Sequence, residues 1–300
     1  MLKSGLAGTL MSGMHLHQRD YSKLSAESQV YRSLPQRLMP MAEPFVETET
    51  CRTKCRWVAK VFTEFNRPRT TVRSLFYYAL RRGEADYPIC GGFVGEIRVT
   101  RRFDESDASR LVKWATLASE LGYIPRDAIL VEVPGIHVLT PDRISSGAHA
   151  ELWIDRSALN PLIWPVCNRY GITLVSVSGA RIDDALKDLR IRAGGEEALV
   201  LCMADLSPSG LSFVRALGDA VSDLGMMHIA LTPEQVARLH IPMVRADKQA
   251  SDKHYRELLR NAGLDGRMMA ELDAIEVCYP GGIAGFLEGL IREHVKGVRT

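Results

Sequence analysis

Residues 199–210 read LVLCMADLSPSG: a continuous apolar run, one acid, then a turn that holds a proline. Apolar residues without polar alternation form a strand buried on both faces, as in a parallel sheet. That strand would end at Asp205, and open α/β sheets hold their ligands at strand carboxyl ends. Pro208 suits the first turn of a following helix, with Ser207 or Ser209 as its cap. On either side the pattern repeats: AELWID (150–155), ITLVSVSG (172–179) and MMHIALT (226–232) read as strands. SALNPLIWPVCNRYG (157–171), ARIDDALKDLRIRAG (180–194) and LSFVRALGDAVSDLG (211–225) read as the helices between them. Strands alternating with helices make a parallel sheet with right-handed crossovers. The remainder, 233–300, is mostly helical and closes the domain. The fold class is α/β, with this domain spanning residues 144–300.

Upstream, RWVAKVFTEF (56–65) and TTVRSLFYYALRRG (70–83) are amphipathic helices joined by the turn Asn66–Arg69. Thr70 or Thr71 caps the second, and Gly83 ends it. The extended FVGEIRVTRRF (93–103) and the helix DASRLVKWATLASELGY (107–123) follow. Two helices and an extended wing make residues 51–143 a winged-helix (CAP-like) domain whose second helix enters a DNA groove. Residues 1–50, with the proline-spaced LPQRLMPMAEPF, read as a flexible arm.

The charge agrees with a nucleic-acid partner. Residues 51–102 carry twelve Lys or Arg against four acids, a net of +8 that leaves −6 for the rest of a chain whose total is +2. Such asymmetry is the footprint of a polyanion contact by one domain. Arg67, Arg69, Arg81 and Arg82 are the candidates for phosphate contact. No stretch has the roughly 20 apolar residues of a membrane span, no signal core is visible, and scattered cysteines suit a reducing compartment. The expectation is a cytoplasmic, nucleoid-associated protein. Cys51 and Cys55 form a CxxxC with no second pair at zinc-site spacing.

Asp155 and Asp205 end two strands of one sheet, and two carboxylates suit magnesium, which keeps water and phosphate oxygens as its other ligands. Glu151 shares the strand face of Asp155 and is a possible auxiliary ligand, as is Ser207.

These segments together resemble the A subunit of type IIB DNA topoisomerases (topoisomerase VI), their meiotic double-strand-break relatives and shorter stand-alone homologues. TVRSLFYY resembles the family's T-x-R-x-[IL]-[FY]-Y segment, which makes Tyr77 the nucleophile and Arg73 its arginine. ELWIDRSAL resembles V-E-K-x-A, with Asp155 at the glutamate position. ADLSPSG resembles the Toprim turn G-D-x-D-P-[SYH]-G, with Asp205 at the first aspartate and Ser207 at the second. LTPEQVARLHIP (231–242) resembles the segment after the last strand. The resemblance implies a Toprim domain and a 5′-phosphotyrosyl link formed by Tyr77, with Arg73 steadying phosphorane charge. It also implies Mg2+ or Mn2+ held by Asp155 and Asp205. Double-stranded DNA, a homodimer and a separate GHKL-type ATPase B subunit are the implied partners, so the isomerase activity would be ATP-hydrolysing only in company. With Asp155 one methylene shorter than glutamate and Ser207 uncharged, two alternatives stand beside this one: a catalytically degenerate dimeric DNA-binding protein, and a Toprim metal-dependent nuclease.

Overall fold

Thr48 accepts a hydrogen bond from the Cys51 N–H (3.2 Å) and opens α1 (Glu49–Phe65) seven residues before the expected start at Arg56. The reason is the cap together with an apolar face that already begins at Cys51 and continues through Cys55, Val58 and Val61. Both cysteines are buried there, their sulfurs 4.0 Å apart, as packing groups one turn from each other. A computed structural model describes residues 48–83, 90–94, 97–100, 102–142, 149–179, 182–193, 198–246 and 253–294, within one unit spanning 45–300. The expected arm, residues 1–50, lies outside the described residues up to 47.

Helix α2 (Val72–Arg82) starts and stops as its sequence dictates. The Thr71 side chain accepts from the Ser74 N–H, and Gly83 takes the left-handed conformation (φ 57°) that frees its N–H for Ala79 and Leu80. Arg81 and Arg82 occupy the last turn, where cations suit the helix dipole. A short antiparallel hairpin pairs Cys90–Val94 with Ile97–Thr100, and α3 (Ala108–Glu120) follows. Trp57, Phe76, Phe103 and Trp114 interlock by ring contacts at 5.6–5.9 Å between centroids, tying α1, α2 and α3 together.

The central sheet has five strands: β1 (Gly135–Leu139), β2 (His149–Ile154), β3 (Thr173–Ser178), β4 (Ala198–Met203) and β5 (Gly225–Ala230), in the order β1-β3-β2-β4-β5. All pairs are parallel except β1, which lies antiparallel on the β3 edge. The fold is therefore mixed α/β with a mostly parallel sheet. β1 is absent from the sequence reading, because GIHVL lacks the crossover helix by which parallel strands announce themselves. The connections are α4 (Asn160–Arg169) after β2, α5 (Ile182–Lys187) and α6 (Leu189–Arg192) after β3, and α7 (Pro208–Ala220) after β4. The single helix expected over 180–194 is thus two short ones that meet at Asp188.

Trp153, Val175, Val200 and Cys202 pack on one side with Ala185, Leu189, Phe213 and Leu217. Leu152, Ile154, Leu174, Leu201 and Met203 join the other, larger cluster, which includes Val58, Leu75, Leu111 and Ile163. Burial on both faces explains why these strands are apolar throughout. The chain ends in α8 (Pro233–Leu239), α9 (Lys253–Asn261), α10 (Leu272–Cys278) and α11 (Gly282–His294). Among the described residues no single helix is long and apolar enough to cross a membrane.

Candidate functional site

The sheet order fixes where a site can form. From β2 the chain moves to β3 on one side, and from β4 it moves to β5 on the other. Adjacent strands whose connections diverge leave a crevice at their carboxyl ends. Ile154 is level with Met203 in the ladder, so Asp155 leaves β2 one level before Asp205 leaves β4, both at the carboxyl end of the sheet. Asp155 lies near enough to act on the Asp205 carboxyl electrostatically.

A segment the sequence reading passed over joins this crevice to α2. Ala270-Glu271-Leu272-Asp273 leads into α10, and each of its polar groups reaches a different element. The Leu272 N–H donates to Asp205 Oδ1 (2.7 Å). Glu271 accepts from Arg73 Nε (2.8 Å) and Nη2 (2.5 Å), and from the Tyr77 hydroxyl (2.8 Å). Asp273 accepts from Arg156 Nη2 (2.8 Å) and from the Thr71 hydroxyl. Arg156 also donates through Nη1 to Asp205 Oδ2 (3.1 Å), and its Nε lies 3.8 Å from Glu132 Oε2. The Arg73 guanidinium lies over the rings of Phe76 and Tyr77, at 5.2 and 5.8 Å from their centroids.

Tyr77, Arg73 and Asp205, which are remote in sequence, therefore converge on one polar cluster within a single chain, with Asp155 within electrostatic reach of Asp205. Their environment is dry. Tyr77 is fully buried, and burial followed by the Glu271 charge pushes its phenol well above the ordinary tyrosine value. Burial opposes the ionised form of Glu271, yet Arg73 outweighs it and holds this carboxyl below its usual range. Asp205 goes the other way. Burial, opposed by Arg156 and reinforced by Asp155, Glu271 and Asp273, brings it up to about 8. The sense of that shift follows from burial, which outweighs the Arg156 guanidinium, with the neighbouring acids adding to it. A cleft of about 220 Å³ lined by Asp205, Leu206, His228, Thr232 and Glu234 opens beside Asp205, and Tyr77 does not line it.

The remaining sequence candidates are engaged elsewhere. Glu151 is buried, accepting from Arg192 (2.7 and 2.9 Å) and Trp153 Nε1 (2.8 Å), with His149 Nε2 also at 2.8 Å. The Ser207 hydroxyl caps α7 by accepting from the Gly210 N–H (3.0 Å). Arg67 pairs with Glu276 (3.1 Å), Arg69 with Asp127 (3.5 Å) and Arg82 with Glu64, while Arg81 donates to the Val277 carbonyl (3.3 Å). Arg67, Arg73 and Arg81 are thus all met by the stretch 271–277.

A divalent cation between Asp155 and Asp205 is the expectation, and on the Asp205 side the donors are already engaged. Magnesium needs carboxylate oxygens open to it. Both oxygens of Asp205 already accept, one from a guanidinium, while Glu151 and Ser207 serve other partners. Among the described residues no group of three or more His, Cys, Asp or Glu side chains is arranged to hold a metal ion.

Sequence reasoning missed Arg156, Glu132, Glu271 and Asp273. The visible signal was in AELDAIEV (270–277), where three acids interrupt an otherwise apolar run. No protein-family model matches this chain, and no curated protein matches it.

Proposed function

We propose that the chain is a DNA-cleaving tyrosine transesterase of the topoisomerase VI A type, with α1, α2 and the hairpin as a winged helix and the sheet as a Toprim domain. One observation carries the reading: the Tyr77 hydroxyl lies 2.8 Å from a carboxylate that Arg73 grips through two bonds. A phenol is a poor nucleophile near neutral pH and needs a proton acceptor. In the step proposed, Tyr77 Oη forms a bond to a DNA phosphorus as the phosphorus–O3′ bond breaks. The phenolic proton passes to Glu271, and the departing 3′-oxygen takes a proton from water, leaving a 5′-phosphotyrosine. Arg73 then faces the transferred phosphoryl group from one turn away on the same helix face. Because Tyr77 is fully buried, the step requires its phenol to be uncovered with the bond to Glu271 kept. A DNA duplex drawing on Arg67 and Arg81 would compete with Glu276 and the Val277 carbonyl for them, and a homodimer and an ATPase partner belong to the same reading.

The burial of Tyr77 also favours a second reading, a DNA-binding protein that does not cut. Supercoiled plasmid incubated with the protein, stopped with detergent and run with and without protease, separates the two. Cut DNA that enters the gel only after proteolysis, and is absent with Tyr77→Phe, is the result expected for the transesterase. Bound but intact plasmid from both proteins under every metal tested refutes it and leaves the binding protein.

A further inference from the structure

We infer that Arg156 is the resident cation of the carboxylate cluster, paired with one of the two acids that the family resemblance assigns to a divalent ion, so that the site works without a metal. The inference rests on this cluster being the functional site, not on DNA cleavage.

Three observations support it. The guanidinium edges meet carboxylates on three elements: Asp205 after β4 (3.1 Å), Asp273 at the start of α10 (2.8 Å) and Glu132 before β1 (3.8 Å). Its place is fixed by the backbone, since Arg156 directly follows Asp155 at the end of the middle strand of the sheet. The surrounding acids are also locked. Glu132 accepts from the Ser157 N–H (2.7 Å) and the Ala158 N–H (3.2 Å), and Asp205 from the Leu272 N–H (2.7 Å), which holds these two carboxylates in place. An arginine is charged at every accessible pH and offers a rigid fork matched to carboxylates. A second cation at the same oxygens would lie against that fork in a poorly screened site and be repelled.

The test uses the full chain and manganese alone, with free Mn2+ followed by electron paramagnetic resonance and folding by thermal midpoint. Wild type is expected to show no saturable site below ~1 mM and no shift of its midpoint, whereas Arg156→Gln gains one Mn2+ site at least about tenfold tighter. Adding Asp205→Asn to Arg156→Gln should abolish the gain. Saturable binding by wild type that Asp205→Asn removes overturns the inference, and so does a folded Arg156→Gln chain that binds no manganese. Should Arg156→Gln fail to fold, Arg156→Lys keeps the charge and must fold and ignore Mn2+; a lysine variant that binds the ion counts against the idea. No DNA enters these measurements, so their failure and that of the plasmid experiment are separate results.

Discussion

Replacing Glu271 with alanine removes one carboxylate and strands two buried donors. In the folded chain the Arg73 side chain is 15% exposed and that of Glu271 9%, so water cannot readily take over the lost bonds. Removing one member of a buried ion pair costs about 3–5 kcal/mol, and leaving a buried hydroxyl without its acceptor adds about 1–3 kcal/mol. Asp273 lies within electrostatic reach of Arg73 and returns part of this, so about 4 kcal/mol is expected for Glu271→Ala. Tyr77→Phe deletes only the hydroxyl, leaving the Arg73–Glu271 pair intact, and should cost about 1–2 kcal/mol, near the low end for a hydrogen bond to a charged group. Urea denaturation followed by tryptophan fluorescence reads both; with a slope of about 2–3 kcal/mol/M, 4 kcal/mol moves the midpoint by roughly 1.3–2 M. The reasoning fails if Glu271→Ala lies within about 1 kcal/mol of wild type, or if Tyr77→Phe is as damaging as Glu271→Ala. The same comparison bears on function, because the proposed step passes the phenolic proton along the Tyr77–Glu271 bond.

Asp205 gives a pH signature of definite sign. Its carboxyl is raised to about 8 in the folded chain, against about 4 when unfolded, so between those values the native state holds a proton that the unfolded state has lost. The stability this group contributes is complete below about pH 4 and is lost as pH rises through about 8. Wild type should therefore lose stability relative to Asp205→Asn between pH 5 and 8, a window above that in which the depressed Glu271 titrates; a relative gain in urea midpoint with rising pH would contradict the assignment. A methyl at Gly210 would stand 2.0 Å from the Asp205 carbonyl oxygen, whereas one at Gly218 meets only the flexible Met226 sulfur at 3.4 Å. Gly210→Ala should lower stability by more than about 2 kcal/mol, while Gly218→Ala, in the same helix, should be neutral or gain about 0.5–1 kcal/mol. Equal thermal midpoints for the two variants would show that the α7 entrance does not press on Asp205 as described.

Much of the scaffold was readable because its signals are local. The Thr71 cap and Gly83 terminator of α2, the apolar run of β4 and the proline-capped turn after it each depend on neighbouring residues alone. Wherever a partner far along the chain decides the outcome, sequence periodicity was silent. Strand β1 exists because GIHVL finds the free edge of β3. Glu151, whose spacing from Asp155 suggested a ligand, instead answers Arg192 and His149.

The site divides along the same line. The sequence by itself put Asp155 and Asp205 at strand ends and Tyr77 with Arg73 on one helix face, because a strand or helix carries its side chains at fixed intervals. It could not show that residues 271–273 bind those two halves together, nor that Arg156 stands between Asp205 and Asp273. Those pairings span 49 to 198 residues of chain. They form because buried acids are tolerated where arginines meet them, and α10, packed on α2, brings Glu271 to Arg73 and Asp273 to Arg156.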